Sequence, residues 1–358
     1  MSKMGYEIFC IRLGRLHVIV VSSPEIACEF LKKQDAIFAS RPTFLSAELL
    51  SNGFSMMIFP TNGDQWKKMR RLLVYHILSP DTLKRAEGTD HLIHYVYNVI
   101  KSNDGAVNIR IAAQHFCANM MRNMIFSKRF FGKGTENGGP GIEEEEHMAG
   151  IFNILKSLYN FCISDYFPFL QHRIDLDGNE KFMRQAVESE MMVEAIDNPS
   201  NAIEWAIGEM INQPETLVKA VQELDRVVGK NRLVQESDLN NLNYIKACVK
   251  ESFRLHPIAA FNVPHVSMCD TIVAGYFIPK GSHVLLSSLG LGRNFKIWDE
   301  PLRFNPERHL KHDGSNVILS YPDLHLLSFS IGRRGCPAVN LGSTMSVMLL
   351  VYVLSFYD

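Results

Sequence analysis

Close cysteine pairs are missing from this chain. Its seven cysteines stand at positions 10, 28, 117, 162, 248, 269 and 336, an odd number with no Cys-x-x-Cys. That spacing argues against a disulfide framework and against structural zinc. Reduced thiols are expected, six of them as small core residues and one available as a ligand. An excess of one charge is missing too, since 37 basic and 38 acidic residues leave a net charge of −1. No global field therefore draws the chain to nucleic acid. Long apolar runs are also absent: none near the N-terminus reaches the roughly 20 residues a bilayer span needs. Nothing there has the pattern of a signal peptide. The apolar stretch Met345–Phe356 is too short to span and reads as a buried helix. No internal repeat is visible.

What is present is an ordinary folded composition, 358 residues of which 46% are hydrophobic and 21% charged. Tyr6–Ser22 alternates apolar and polar positions around Gly14-Arg15 and predicts a hairpin. Ser23 caps a helix running toward Gln34, and Asp64 opens a helix to about Leu78 that stops before Pro80. That second helix sets Trp66 and Arg70 one turn apart on one face. Helical spacing continues at Leu83–Lys101 and Ile109–Phe126, then gives way to an exposed acidic loop at Gly132–Glu146. Helices follow at Met148–Tyr159 and near Asn179–Val187. One long helix is predicted from about Ser189 to Asn212, interrupted at Asn198-Pro199. Pro214–Val228 and Asn241–Leu255 are helical, and Val263–Ser288 reads as short strands joined by turns. The fold class is mainly α with a small β-sheet.

The most informative segment is Phe329-Ser-Ile-Gly-Arg-Arg-Gly-Cys336. Gly332 and Gly335 permit close backbone approach, and the arginines favour a thiolate at Cys336. Such a loop suits presentation of a metal-ligating sulfur, with Arg334 ready to fork onto a carboxylate. It also suits a solvated loop or an anion nest, with Cys336 as one more buried thiol. Glu251 and Arg254 stand at i and i+3 on a helix whose other face carries Ile245, Cys248, Val249 and Phe253. Alone they amount to a surface ion pair of little worth. Phe304-Asn-Pro-Glu-Arg308 adds a second arginine for the same carboxylate.

Glu-x-x-Arg, Pro-Glu-Arg and Phe-x-x-Gly-x-Arg-x-Cys, in that order, identify the chain as a member of the cytochrome P-450 family. The resemblance runs from Tyr6 to the end and implies one haem domain over 1–358, with Cys336 as the iron ligand. It further implies that Trp66, Arg70, His265 and Arg334 bind the cofactor, and that Glu251, Arg254 and Arg308 form the structural motif. His265 stands where the family usually has arginine. The implied cofactor is haem b, with dioxygen and with electrons from NADPH through a reductase. An endoplasmic-reticulum location on the cytosolic face is implied as well.

Ala195-Ile-Asp-Asn-Pro-Ser-Asn201, with Phe261-Asn-Val-Pro-His265, resembles the plant amino-acid N-hydroxylases that convert amino acids to aldoximes. This resemblance implies N-hydroxylation of phenylalanine or tyrosine, or of a branched-chain amino acid, on the way to cyanogenic glucosides or glucosinolates. It makes Asp197 the end of a proton path and Asn198 an orienter of water, and sets substrate contacts at Phe261, Asn262 and the loop between Arg41 and Thr61. On the residues alone, Asp197-Asn198-Pro199 reads equally as a helix boundary.

Against the family pattern the membrane anchor is missing, the roof helices expected between Val187 and Met191 are missing, and the chain stops at Asp358 before the C-terminal hairpin. Glu194 stands where the subfamily prefers a small residue, and Ala338 where glycine is frequent. These departures carry the alternative expectation of a truncated, non-catalytic haem-binding relative or pseudogene product.

Overall fold

Strand β1 (Ile8–Leu13) turns at Gly14 onto β2 (Leu16–Val21) and pairs with it antiparallel. Gly14 takes φ +58°, the left-handed conformation that closes so tight a turn. The computed structural model describes residues 7–50, 57–78, 89–102, 107–126, 163–167, 194–311, 313–320 and 322–357, with positions 141, 142, 145 and 148. The expected loop at Gly132–Glu146 and the helices at Met148–Tyr159 and Asn179–Val187 lie, apart from those single positions, outside these residues.

Ser23 caps α1 (Pro24–Cys28), which continues as a wider helical turn over Glu29–Lys33. Next come α2 (Leu45–Leu50), α3 (Asp64–Leu72), α4 (Thr89–Ser102), α5 (Ile109–Phe126) and the short α6 (Ile163–Tyr166). Gly63, not Asp64, is the cap of α3; Asp64 sits in the first turn, where its charge still favours the helix start. Then follow α7 (Glu194–Asn212), α8 (Pro214–Val227) and α9 (Asn243–Leu255). The chain next enters β3 (His265–Val266), β4 (Thr271–Val273), β5 (Tyr276–Ile278) and β6 (His283–Leu286). It ends with α10 (Ser288–Gly292) and α11 (Val339–Leu354). The sheet has the order β1-β2-β6-β3, with β2 and β6 parallel, and β4–β5 stands apart as a hairpin.

Three expectations are corrected. Helix α7 is not interrupted at Asn198-Pro199: it runs through Pro199. The proline lacks only the N–H that would reach the carbonyl of Ala195, and the buried Ser200, Ala202, Ile203, Ala206 and Met210 hold the helix by packing. Helix α9 has no outer face over its last turns, because Glu251 and Arg254 are as buried as Cys248 and Val249. Among the cysteines only Cys117 and Cys248 are core residues; Cys28 is half-buried, Cys10 and Cys269 are exposed, and Cys162 lies outside the described residues.

Two apolar cores result. Helices α5, α7, α8, α9 and α11 enclose the larger one. The smaller lies between β2, β6 and α1 and includes Leu327 and Ile331. Among the described residues no helix is long and apolar enough to cross a membrane.

Candidate functional site

The Cys336 loop sits where the two cores meet. Phe329 packs on the helical core, edge-on to Phe253 with ring centroids 5.6 Å apart. Two residues on, Ile331 belongs to the sheet core. The chain folds back on itself here: the Cys336 N–H donates to the Phe329 carbonyl at 2.8 Å and the Gly335 N–H to the Gly332 carbonyl at 3.0 Å. Gly332 takes φ +79°, and a Cβ on it would come within 2.4 Å of the Leu31 carbonyl oxygen. The exposed Cys336 therefore stands at the end of a backbone pinned on both sides, shortly before the N-terminus of α11, whose dipole favours negative charge.

Gly332→Ala is expected to cost about 1–3 kcal/mol from backbone strain alone, and more from the clash with Leu31. Thermal unfolding measures it, with Gly314→Ala as the control: Gly314 has a similar φ of +71° and open space around it. The Gly332 variant should melt at the lower temperature of the two.

Beside the loop, α3 presents Trp66 and Arg70. The Arg334 guanidinium lies 4.1 Å from the centre of the buried Trp66 ring, and that of Arg70 lies 5.7 Å from it. Arg70 Nη2 donates to the Gly335 carbonyl at 2.8 Å. Arg334 donates to the carbonyls of Ala39, at 2.5 Å, and Pro60. These partners are all neutral. Burial, and then the neighbouring Arg70, lower the Arg334 pKa to about 10; burial likewise lowers that of Arg70. The field is poised for an anion.

His265, on β3, reaches the same cluster. Its Nδ1 is 2.7 Å from the Phe38 carbonyl, and burial, then the charge of Arg41, push its pKa down to about 3. Arg41, which the sequence marked only as the edge of a substrate loop, is buried and donates through Nη1 to the carbonyls of Val263 and Pro264 at 2.7 and 2.9 Å. Phe261 forms an isolated bridge with Ser287. Asn262 exchanges two bonds with Leu286: its N–H donates to the carbonyl at 3.0 Å, and its Oδ1 accepts from the Leu286 N–H at 2.9 Å. The second bond fixes the carboxamide, so the buried Nδ2, without a partner, is the donor left over. Asn198 is exposed on α7; the Asp197 and Glu194 side chains lie outside the described residues.

On the far side of α9, Glu251 and Arg254 form a two-pronged pair with both bonds at 2.8 Å and no solvent exposure. All five Arg254 donors are used, the others on the carbonyls of Gly292, Pro301 and Arg303. Arg308 Nε donates to Glu251 Oε1 at 3.0 Å, and the Asn305 N–H donates to the same oxygen at 2.8 Å. His309, which sequence reasoning passed over, is 2.7 Å from the second carboxylate oxygen and edge-on to Trp298. Burial lowers its pKa, against the opposing pull of Glu251. Its signal was there to read, an imidazole one residue past Pro-Glu-Arg.

A family model of cytochrome P450 matches residues 1–189 and 178–358. The chain belongs to the cytochrome P450 family. Among known proteins it is 45% identical to phenylalanine N-monooxygenase CYP79D16 of Prunus mume, over 99% of this chain and 78% of that protein. It is 47% identical to isoleucine N-monooxygenase 1 of Lotus japonicus, over 99% and 77%. It is 44% identical to tryptophan N-monooxygenase 1 of Arabidopsis thaliana, over 99% and 76%. The first of these alignments runs over 415 positions, more than the 358 residues of this cytochrome P450, so the relative carries residues without a counterpart here. The two matched stretches overlap at residues 178–189 and together cover the whole chain. Among solved structures, a zebra fish cytochrome P450 with abiraterone superposes with a TM-score of 0.75 at 21% identity, over 99% of this chain and 88% of that one. The fold is that of the P450s.

Proposed function

We propose that this P450 is a haem-thiolate monooxygenase that N-hydroxylates an amino acid to an aldoxime, phenylalanine or tyrosine first and branched-chain amino acids next. The observation that carries the cofactor reading is the pair of half-buried or buried guanidiniums, Arg70 and Arg334, held by carbonyls and Trp66 beside an exposed cysteine on a pinned loop. Such a cluster suits a ligand with carboxylates at its edge and a metal at its centre.

In this reading Cys336 ligates the iron of haem b, and Arg70, Trp66, Arg334 and His265 hold its propionates. Thiolate-ligated haem supplies dioxygen activation, the sulfur favouring O–O cleavage. Asp197 and Asn198 serve proton delivery from α7, where the carboxamide orients water without itself relaying a proton. Asn262 Nδ2 and Phe261 meet the substrate, the donor suiting a carboxylate and the ring an apolar side chain. Electrons come from an NADPH-dependent reductase, and the protein works at the cytosolic face of the endoplasmic reticulum. The relatives' names as N-monooxygenases of phenylalanine, isoleucine and tryptophan support this reaction class.

The reduced carbon-monoxide difference spectrum of the purified chain, followed by titration with amino acids, tests the reading. The expected result is the red-shifted thiolate band and a spin-state shift with at least one amino acid. Absence of the band overturns it. A band without any substrate shift supports the second reading, a haem binder with an incompetent pocket, which the relative's residues without a counterpart here favour.

A further inference from the structure

His265 carries a buried ring nitrogen that nothing among the described residues meets. The Phe38 carbonyl can only accept, so Nδ1 bears the proton of the neutral ring. Nε2 is then a bare acceptor, buried and without a partner. The charges acting on the ring are those of Arg41 and Arg334, with Arg70 acting in turn on Arg334. On the adjacent strand, His283 pairs opposite Val266, so the pleat turns it to the other face, where it packs edge-on to Phe44. Asp35 is spent on Arg333.

We propose that cofactor loading and protonation at His265 are linked, so that the chain takes up one proton as it takes up haem. The inference rests on the haem reading above. A propionate arriving at Nε2 would face an acceptor with an acceptor. One proton must therefore lie between them, on the nitrogen or on the carboxyl oxygen, and either placement gives the same count. Arg70 and Arg334 cannot supply it, because guanidinium stays protonated throughout the working range. Before loading, burial and the guanidiniums keep the ring neutral; the incoming negative charge reverses that balance.

The sign follows from linkage. The proton is held more tightly with haem than without it, so haem affinity is highest at low pH. It falls as pH rises until the loaded site itself deprotonates, and is level above that point. Arginine at 265 would be a permanent donor and remove the dependence.

The test is the rate of haem release to excess apoglobin, between about pH 6 and 9, for the wild-type holoprotein, His265→Arg and His265→Gln. Taking ratios to the variants cancels the titration of Cys336 and of the propionates in common. The wild-type release rate relative to either variant should climb by up to about tenfold per pH unit over part of the range. Haem added to the apo chain in weak buffer with a pH dye should report proton uptake by the wild type and not by His265→Arg. A flat ratio with equal proton uptake overturns the linkage while haem binding stands. No thiolate band in any of the three proteins overturns the haem reading, and the linkage with it.

Discussion

Cys336→Ser is expected to abolish the red-shifted carbon-monoxide band and N-hydroxylation together, while the folded chain keeps nearly all its stability. The separation of the two effects follows from where the residue sits. Its backbone N–H holds the loop through the Phe329 carbonyl, and serine retains that bond. Its side chain is exposed, so little packing is lost, and surface substitutions of this kind change stability by within about 0.5 kcal/mol. The sulfur, by contrast, is the one group on the loop able to ligate iron as a thiolate and favour O–O cleavage. Arg70 and Arg334 keep their carbonyl partners in the variant, so on the proposed reading haem should be retained at reduced affinity. Spectra, turnover and urea unfolding on the same preparation check the three parts. Turnover that survives in the serine variant would refute the assignment of the ligand.

Glu251→Ala should be the most damaging single change to stability. It leaves Arg254 fully buried without a counter-charge and strips Arg308 and His309 of the group that gathers them. Breaking a buried pair by removing one partner costs about 3–5 kcal/mol. Glu251→Gln should recover only part, since a carboxamide accepts on one side but cannot balance two guanidiniums. The same carboxylate shapes the acid limb. Burial alone would raise its pKa, but the bonds from Arg254 and His309 outweigh burial and bring it to about 2 from the ordinary 4.5. A depressed carboxylate stabilises the fold above its unfolded pKa and loses that contribution as pH falls through its folded one. The wild type should therefore shed about 3 kcal/mol between pH 4.5 and 2. Glu251→Gln should lack that component, and urea midpoints at a series of pH values would detect it. Parallel acid limbs for the two proteins would show that Glu251 is not its source.

Much of this site was legible because its signals are local. Phe329 to Cys336 is one continuous stretch, and Trp66–Arg70 and Glu251–Arg254 are neighbours on a helix surface by spacing alone. Where the reading failed, the deciding term was not local. Proline in a helix costs about 3 kcal/mol on its own, and that was the reason to expect α7 to break; the packing of Ala202, Ile203, Ala206 and Met210 overrides it. Arg41, in sequence only the edge of a substrate loop, is buried because the carbonyls of Val263 and Pro264, more than two hundred positions away, accept its protons.

By itself the sequence determined the family and the mainly helical class, and it named Glu251, Arg254 and Arg308 as one cluster without His309, because motif signals are local. Only the tertiary structure decided the rest. Parallel pairing of β2 with β6 brings the two ends of the chain into one sheet, and the Cys336 loop is wedged between two cores, with Phe329 in one and Ile331 in the other. That wedge gathers Arg70 and Arg334 around a single ring, Trp66, with His265 feeling the charge of Arg334. Where side chains end up in space decides which polar atoms keep a partner, and burial sets the cost of lacking one, so no spacing rule could have revealed that His265 Nε2 is buried with no partner among the described residues.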